Sequence, residues 1–251
     1  MPKPTPRELE VIRTTSITKN MLRVTLGGEA MSGFPQNQES AYIKLIFPQE
    51  NQARPLMRTY TIRKQRASEI DVDFALHQQT GPAASWAKKA KPGDRILIGG
   101  PGPKKIINLD ADWFLLAGDM SALPAISVNL AQLPIKSKGY AIIEITSKDD
   151  IQQLSHPENI EIHWVINPKP DPEGQTLVTK IQSLPWLSGA PAIWTACEFN
   201  SMKSLRAFFR DKKLPKSHLY ISSYWKIGQS EDQHKIAKKK DSEQNETSTS
   251  L

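Results

Sequence analysis

The hydrophobic pattern of this chain changes near residue 108, and that change limits the folds open to it. Before residue 108, short runs alternate between apolar and polar residues, a pattern typical of antiparallel strands with one exposed face. Five such strands are predicted, at Met21–Leu26, Tyr42–Phe47, Met57–Ile62, Ile70–Leu76 and Arg95–Ile98. The sequence therefore predicts a small antiparallel barrel, because closing the sheet removes its exposed edges.

After residue 110, strand and helix patterns alternate. The predicted strands are Trp113–Ala117, Tyr140–Ile145, Ile160–Ile166, Ala192–Ala196 and Leu219–Ser223. Helices are predicted between them, at 122–133, 149–154, 176–184 and 201–212. Such alternation indicates an open parallel sheet covered by helices. The predicted fold class is thus a β barrel followed by an α/β domain of the Rossmann-like kind.

The same pattern sets the predicted domain limits of the 251-residue chain. We expect an antiparallel barrel over 1–108, an α/β domain over 109–240 and a disordered tail over 241–251, where apolar periodicity is lost. A single cysteine, Cys197, excludes an internal disulfide and a four-thiolate metal centre. The polar N-terminus and the lack of an apolar run of 18 residues favour a cytoplasmic protein without a membrane segment.

The net charge of +7 is unevenly distributed along the chain. Residues 1–108 contain 17 Lys and Arg against 9 Asp and Glu, whereas residues 109–251 contain 16 against 17. The basic surplus of the first part attracts anions of any kind, including the phosphates of a cofactor. RNA-binding signature motifs do not occur in the sequence, so no nucleic-acid partner is expected.

The stretch Arg58-Thr59-Tyr60-Thr61 is the most informative part of the predicted barrel. Period-two alternation places Arg58 and Tyr60 on one face of a strand and the two threonines on the other. An arginine suits a cofactor pyrophosphate, an aromatic ring packs on a flat cofactor, and hydroxyls suit its polar edge. An exposed strand with a solvated arginine is the alternative interpretation.

A helix start follows this stretch. Thr80 is suited to be its N-cap and Pro82 lies in the first predicted turn. The unpaired N–H groups at such a start bind anions, so the cofactor phosphates are expected there, beside Arg58. Without Arg58 nearby, a plain capped helix would explain the same residues.

Five motifs together resemble the siderophore-interacting protein family, the flavin-dependent ferric-siderophore reductases. They are Arg58–Thr61, a strand ending in His77, Gly81–Trp86, Leu116–Ile126 and Tyr224–Gly228. The resemblance implies an FAD-binding barrel and a C-terminal domain related to ferredoxin reductases. It further implies reduction of chelated Fe(III) in the cytoplasm, with electrons from NAD(P)H or from reduced ferredoxin.

The resemblance also assigns site residues. The cofactor contacts that it implies are Arg58, Thr59, Tyr60, Thr61, Asp73, His77, Ala83, Ser85, Trp86, Asp119 and Ser121. Asp119 has a second interpretation, as N-cap of the helix that follows it. Candidates for binding an anionic ferric chelate are Arg54, Lys226 and, more weakly, Lys44, each of which is otherwise a solvated surface cation.

Several positions depart from the family pattern, and they fall near the expected nicotinamide pocket. Met120 replaces an acidic residue, Cys197 replaces a glycine, and the family's Ser-Gly-Tyr-Trp-Arg reads Ser222-Ser-Tyr-Trp-Lys226 here. The five histidines lack the paired spacing of metal ligands, so no protein-bound metal is expected. Electron transfer through a flavin requires no catalytic acid or nucleophile from the chain, so none is expected. A general NAD(P)H:flavin or ferredoxin reductase and a non-catalytic siderophore carrier are the alternatives.

Overall fold

A computed structural model describes residues 5–49, 54–76 and 81–249 of the chain. The chain divides into two compact units. The first contains Met1–Ile106, Leu123–Ile135 and Ser147–Pro157, and the second contains Ile107–Ala122, Lys136–Thr146 and Glu158–Leu251. Among the described residues, no helix is both long enough and apolar enough to cross a membrane.

The first unit contains a closed antiparallel barrel, as the sequence predicts. Its strands run in the order β1-β2-β5-β4-β3-β6, and β6 pairs with β1. Their bounds are β1 Arg7–Thr18, β2 Met21–Gly27, β3 Tyr42–Phe47, β4 Leu56–Gln65, β5 Glu69–Ala75 and β6 Arg95–Gly99. The helices of this unit are α1, Pro82–Lys89, and α2, Leu123–Gln132. Alternate side chains of the strands form its apolar core, which includes Leu9, Val24, Ile43, Ile62 and Phe74.

The second unit contains a parallel sheet in the order β11-β10-β7-β8-β9, also as predicted. Its strands are β7 Trp113–Asp119, β8 Gly139–Ile145, β9 Ile160–Ile166, β10 Pro191–Glu198 and β11 Leu219–Trp225. Its helices are α3 Thr176–Gln182, α4 Phe199–Arg210 and α5 Glu231–Thr249. The apolar stripe of α4, with Met202, Leu205 and Phe209 buried, packs on the same core as Leu115 and Ile142.

Four predictions about the elements are wrong in part. Strand β1 was not among the predicted strands, and the predicted helix 149–154 is a 3₁₀ helix over Lys148–Asp150. Asp150 is fully buried and accepts hydrogen bonds from the side chains of Thr18 and Asn20, both 2.8 Å long. These bonds attach the segment to the barrel unit, so the chain does not continue as a helix. Residues 241–249 belong to α5, so the predicted disorder is wrong over that part of the tail. The strands β7, β10 and β11 extend two residues beyond their predicted ends.

The predicted domain boundary at residue 108 lies close to Ile107, where the chain first leaves the first unit and enters the second. Two later segments, Leu123–Ile135 and Ser147–Pro157, belong to the first unit, although both fall in the predicted α/β domain. Their contacts explain this placement, since Asn129 donates a hydrogen bond to the carbonyl of Lys105 over 3.1 Å. The functional assignment of the two predicted domains stays a prediction.

Candidate functional site

Strand β4 changes its partner in the middle of the barrel wall. Its first half, Leu56–Thr61, pairs with β3, and its second half pairs with β5 from Ile62 onward, with a register shift between Ile62 and Lys64. The motif Arg58–Thr61 therefore lies where β4 parts from its β5 ladder.

The division of the motif into two faces is confirmed. Arg58 and Tyr60 lie opposite two fully buried β3 residues, Leu45 and Ile43, and so share the inward face of the strand. Thr59 and Thr61 lie on the outward face, where Lys44, opposite Thr59, donates a hydrogen bond to its hydroxyl. The threonine hydroxyls and the side chains of Arg58 and Tyr60 thus lie on opposite faces of the strand.

Packing fixes the two larger side chains of the motif. The ring of Tyr60 lies on that of Phe74, with centroids 4.3 Å apart. Arg58 donates a hydrogen bond of 2.9 Å to the carbonyl of Met57 and keeps part of its surface exposed. The tyrosine is therefore a rigid, flat surface, and the arginine beside it presents a cation at the strand.

The helix start predicted after β5 is present, with one correction. Helix α1 begins at Pro82, its N-cap is Gly81, and no side chain of the described residues caps it; Thr80, the predicted cap, lies outside them. Gly81 and Pro82, at the start of the first turn, are exposed. This arrangement retains the capacity to bind an anion.

The three residues of α1 that were predicted to contact the cofactor differ in their burial and packing. Ala83 is buried and Ser85 is half-buried. The ring of Trp86 packs against Phe47 and Phe74, with centroids 6.1 and 6.0 Å apart. Phe74 thus contacts both aromatic residues predicted to bind the cofactor, and α1 is anchored to the strand next to Tyr60.

Asp73 has a protein partner that the sequence did not indicate. Both of its carboxylate oxygens accept hydrogen bonds from Arg23, over 2.7 and 2.8 Å. Phe74 points into the barrel core, so Asp73 lies on the outward face and does not join Arg58 and Tyr60. Its predicted partner in the same strand, His77, lies outside the described residues.

The three candidate substrate cations fall in both units. In the first unit, Arg54 is exposed, and Lys44 lies on β3 with its ammonium 5.5 Å from the ring centre of Tyr42. In the second unit, Lys226 follows β11 directly, and its ammonium lies 4.5 Å from the ring centre of Phe199. A cation over an aromatic face keeps its charge while its carbon chain is packed.

Asp119 joins the carboxyl ends of three parallel strands. It accepts hydrogen bonds from the backbone N–H of Ser121 at 2.9 Å, from that of Glu198 at 2.8 Å, and from the indole of Trp225 at 2.8 Å. The hydroxyl of Ser121 donates a further bond to it, of 2.5 Å. These bonds bring Asp119 and Ser121 together in the turn after β7, and their role as cofactor contacts stays a prediction.

Two further carboxylates at this end were not among the predicted site residues. Glu198 caps α4, accepting from the backbone N–H groups of Asn200 and Ser201, and also accepts from that of Ile227. Glu144 on β8 lies beside Asp119 in register and accepts a 2.9 Å bond from the amide of Asn167. Glu144 is the single charged residue in the apolar run Tyr140–Ile145, and that signal was available in the sequence.

Comparison with known proteins identifies the family of the chain. A family model described as a siderophore-interacting FAD-binding domain matches residues 10–55 and 49–105, and one described as a siderophore-interacting protein matches residues 111–228. The chain belongs to the siderophore-interacting protein family. Its barrel unit accordingly contains an FAD-binding domain.

Relatives within the family cover almost the whole chain. The ferric vibriobactin reductase ViuB of Vibrio cholerae is 36% identical, over 90% of this chain and 92% of its own length. An NADPH-dependent ferric-chelate reductase of Escherichia coli is 25% identical, over 87% and 92% respectively. The chain and ViuB therefore align across both units.

Solved structures agree with the fold. The siderophore-interacting protein SipS of Aeromonas hydrophila is 31% identical, with a TM-score of 0.85 over 96% of this chain and all of that one. The FAD/NAD-binding domain of a Vibrio cholerae nitric oxide dioxygenase shares the fold at 12% identity, with a TM-score of 0.66 over 88% of this chain and all of the other. The barrel and parallel sheet thus follow the architecture of ferredoxin-reductase-like flavoproteins.

The departures from the family pattern all have partners within the second unit. Met120 is buried, and its sulfur accepts a 3.3 Å bond from the hydroxyl of Thr146. Cys197 is buried in the core shared by α3 and α4, and burial raises the pKa of its thiol. The hydroxyl of Ser223 bonds the ring of His234 on α5 over 2.8 Å, and Ser222 accepts from Lys238 over 2.7 Å. These substitutions are explained by packing and by the attachment of α5.

Proposed function

We propose that this protein uses FAD to reduce ferric siderophores and release Fe(II). The observation that carries the proposal is the placement of Arg58 and Tyr60 on one face where β4 parts from β5, with Phe74 linking that face to the uncapped start of α1. Family membership supports the same function, because one relative is named as a ferric vibriobactin reductase and another as an NADPH-dependent ferric-chelate reductase.

The residues of the barrel unit suit each part of FAD. Arg58 and the first turn of α1 are the groups for the pyrophosphate, a fixed cation and unpaired N–H donors. Tyr60, held by Phe74, is the flat surface for the isoalloxazine ring, and Thr59 and Thr61 present hydroxyls to a polar edge. When bound, FAD takes two electrons from its donor and passes them singly to two ferric chelates.

The ferric siderophore is the substrate, and cations of the chain attract it. We assign this role to Arg54, Lys226 and Lys44, since many ferric chelates carry negative charge. Hard anionic oxygen ligands bind Fe(III) much more strongly than Fe(II), so reduction weakens the complex. The chain needs no nucleophile or general acid for this transfer, because it contributes positioning and electrostatics.

We place the reaction in the cytoplasm, with NAD(P)H as the electron donor and reduced ferredoxin as a second possible source. The ferredoxin-reductase-like fold and the NADPH dependence stated for the Escherichia coli relative support a nicotinamide donor. A general flavin or ferredoxin reductase would reduce flavins or ferredoxin faster than ferric siderophores. A non-catalytic carrier would bind a ferric siderophore without reducing it.

Removal of the Arg58 guanidinium tests the cofactor assignment. Arg58→Ala is expected to lower FAD retention at least tenfold, since a charged hydrogen bond to the pyrophosphate is lost. Flavin content after gel filtration, read from its absorbance, measures the effect. Arg95→Ala is the matched control, because Arg95 lies in the same barrel and its ion pair in the described structure is with the exposed Glu8. Equal flavin content in both variants would refute the assignment.

Removal of the Lys226 ammonium tests the substrate assignment. Lys226→Ala is expected to weaken binding of anionic catecholate chelates several-fold more than binding of neutral hydroxamates. Fluorescence quenching by each ferric chelate provides the dissociation constants. Lys235→Ala on α5 serves as control, since Lys235 is a surface lysine paired with Glu231. An equal loss for both classes of chelate would remove the electrostatic explanation.

A further inference from the structure

The order of the parallel strands points to one end of the sheet as the place for a dinucleotide. Strand β7 lies at the centre, and the chain proceeds to β8 on one side and later to β10 on the other. In open α/β sheets of this order, dinucleotides bind outside the carboxyl ends of the strands at this switch point. An acidic residue at the end of the next strand then binds the ribose hydroxyls when the ribose lacks a phosphate.

Glu144 occupies that position in this chain. It is the penultimate residue of β8, and it lies beside Asp119, the last residue of β7. Its spacing from the turn at Asp119–Ser121 matches the separation of about 20 residues typical of such acidic residues. The position follows from strand order and register alone.

The surroundings of Glu144 orient its carboxylate. Asn167, directly after β9, donates a 2.9 Å bond to Oε1, and the same amide lies 3.4 Å from the hydroxyl of Thr176 on α3. Among the described residues, Oε2 of Glu144 has no hydrogen-bond partner, and the side chain is partly exposed. A carboxylate oxygen held in this way accepts hydrogen bonds from a ribose diol.

The charges around Glu144 disfavour a second phosphate. Burial raises the pKa of Glu144 to about 7, and the charges of Asp119, Asp171 and Glu198 raise it in the same direction. A 2′-phosphate placed here would meet several carboxylates, and it would require the arginine or lysine that phosphate-binding dinucleotide sites supply.

We infer that Glu144, oriented by Asn167, binds the adenosine ribose hydroxyls of a dinucleotide without a 2′-phosphate, so that NADH is preferred over NADPH. This inference rests on the proposed function, which supplies a nicotinamide donor. It also distinguishes this chain from its Escherichia coli relative, which is named as NADPH-dependent. Glu144 is a specificity residue, and Asn167 is a positioning residue.

Binding to the oxidised holoenzyme tests the inference without turnover. Calorimetry would compare NAD⁺ with NADP⁺, neither of which can reduce the flavin, and 5′-AMP with adenosine 2′,5′-bisphosphate. The wild type is expected to prefer each unphosphorylated ribose by roughly 10- to 100-fold, the range of one charged hydrogen bond. Glu144→Gln retains the size of the side chain and the contact with Asn167. It should reduce both affinity ratios, unphosphorylated over phosphorylated ligand, at least fivefold. Glu161→Gln, which alters an exposed carboxylate on β9, should leave them unchanged.

The outcomes separate this inference from the proposed function. Equal affinity for the two members of a pair, a preference for NADP⁺, no nucleotide binding, or an unchanged affinity ratio in Glu144→Gln would each overturn it. Reduction of ferric chelates by dithionite-reduced holoenzyme tests the proposed function independently, because that assay needs no nucleotide. A failure there would reject ferric reduction while leaving the measured binding ratios valid.

Discussion

The two units both bury carboxylates, and the groups around those carboxylates differ. On the outward face of the barrel, arginines bind them. Arg23 pairs with Asp73, Arg66 with both Asp71 and Glu69, and Arg13 with Glu69. At the carboxyl ends of the parallel sheet, Asp119 and Glu198 are bound by backbone N–H groups and an indole, and Glu144 by an amide.

The difference appears in the pKa of one carboxylate from each unit, Glu69 and Glu144. The hydrogen bond from Arg13 and further bonds and charges from Arg66 lower the pKa of Glu69 to about 2. Burial and the charge of Asp119 raise the pKa of Glu144 to about 7. Arginine partners thus keep Glu69 ionised, whereas burial is the largest influence on Glu144. Glu69 is a charged part of the barrel framework at neutral pH, whereas Glu144 gains or loses a proton near neutral pH.

The comparison predicts its largest effect where a guanidinium is removed from the barrel. Arg23→Met leaves the buried Asp73 without its bidentate partner, which should lower the free energy of unfolding by about 3 kcal/mol. Urea unfolding at pH 7 measures the loss. The double variant Arg23→Met/Asp73→Leu should recover part of it, because the buried carboxylate is removed together with its partner, although the nearby Arg63 then loses the charge of Asp73. A loss of similar size in Arg95→Met, at an exposed pair, would show that the effect has another origin.

A smaller effect of opposite sign is expected at the sheet end. The folded-state pKa of Glu144 lies above its ordinary value of 4.5, so the native state binds the extra proton and stability falls as pH rises from about 4.5 through 7. Glu144→Gln should therefore be more stable than the wild type at pH 8, by about 1–2 kcal/mol, and equally stable at pH 4. Thermal unfolding at the two pH values checks this. If Glu144→Gln were destabilised by the same amount at pH 8 and pH 4, the raised pKa assigned to Glu144 would be contradicted.

The smallest effect concerns Glu69, which is bound at the rim of the arginine network. Its folded-state pKa lies below 4.5, so its contribution is fully present above pH 4.5 and is lost as pH falls toward 2. The wild type should lose stability over that window more steeply than Glu69→Gln. Acid titration followed by circular dichroism compares the two slopes. Identical slopes would mean that Arg13 and Arg66 contribute nothing through Glu69.

Local pattern was sufficient to predict most elements and the two faces of Arg58–Thr61. Strand β1 was missed because register shifts near Val11 and Thr18 interrupt its alternation, and Thr14 to Ser16 add no apolar signal. The partner of Asp73 could not be predicted, since Arg23 lies 50 residues away and only the β2–β5 register brings them together. Glu144 carried a local signal as the single charge in an apolar run, but its position beside Asp119 follows only from the β7–β8 register.

The polar attachment of α5 bears on how this protein can be altered. Among its described side chains, the helix places one small apolar residue, Ala237, against the second core, and it is also joined through His234, Lys238 and Asp241. The ring of His234 is buried against Phe199 and bonds the buried hydroxyl of Ser223. Removing the helix would therefore leave a buried hydroxyl in the second unit without its ring partner, so the attachment of α5 depends on polar contacts more than on apolar burial.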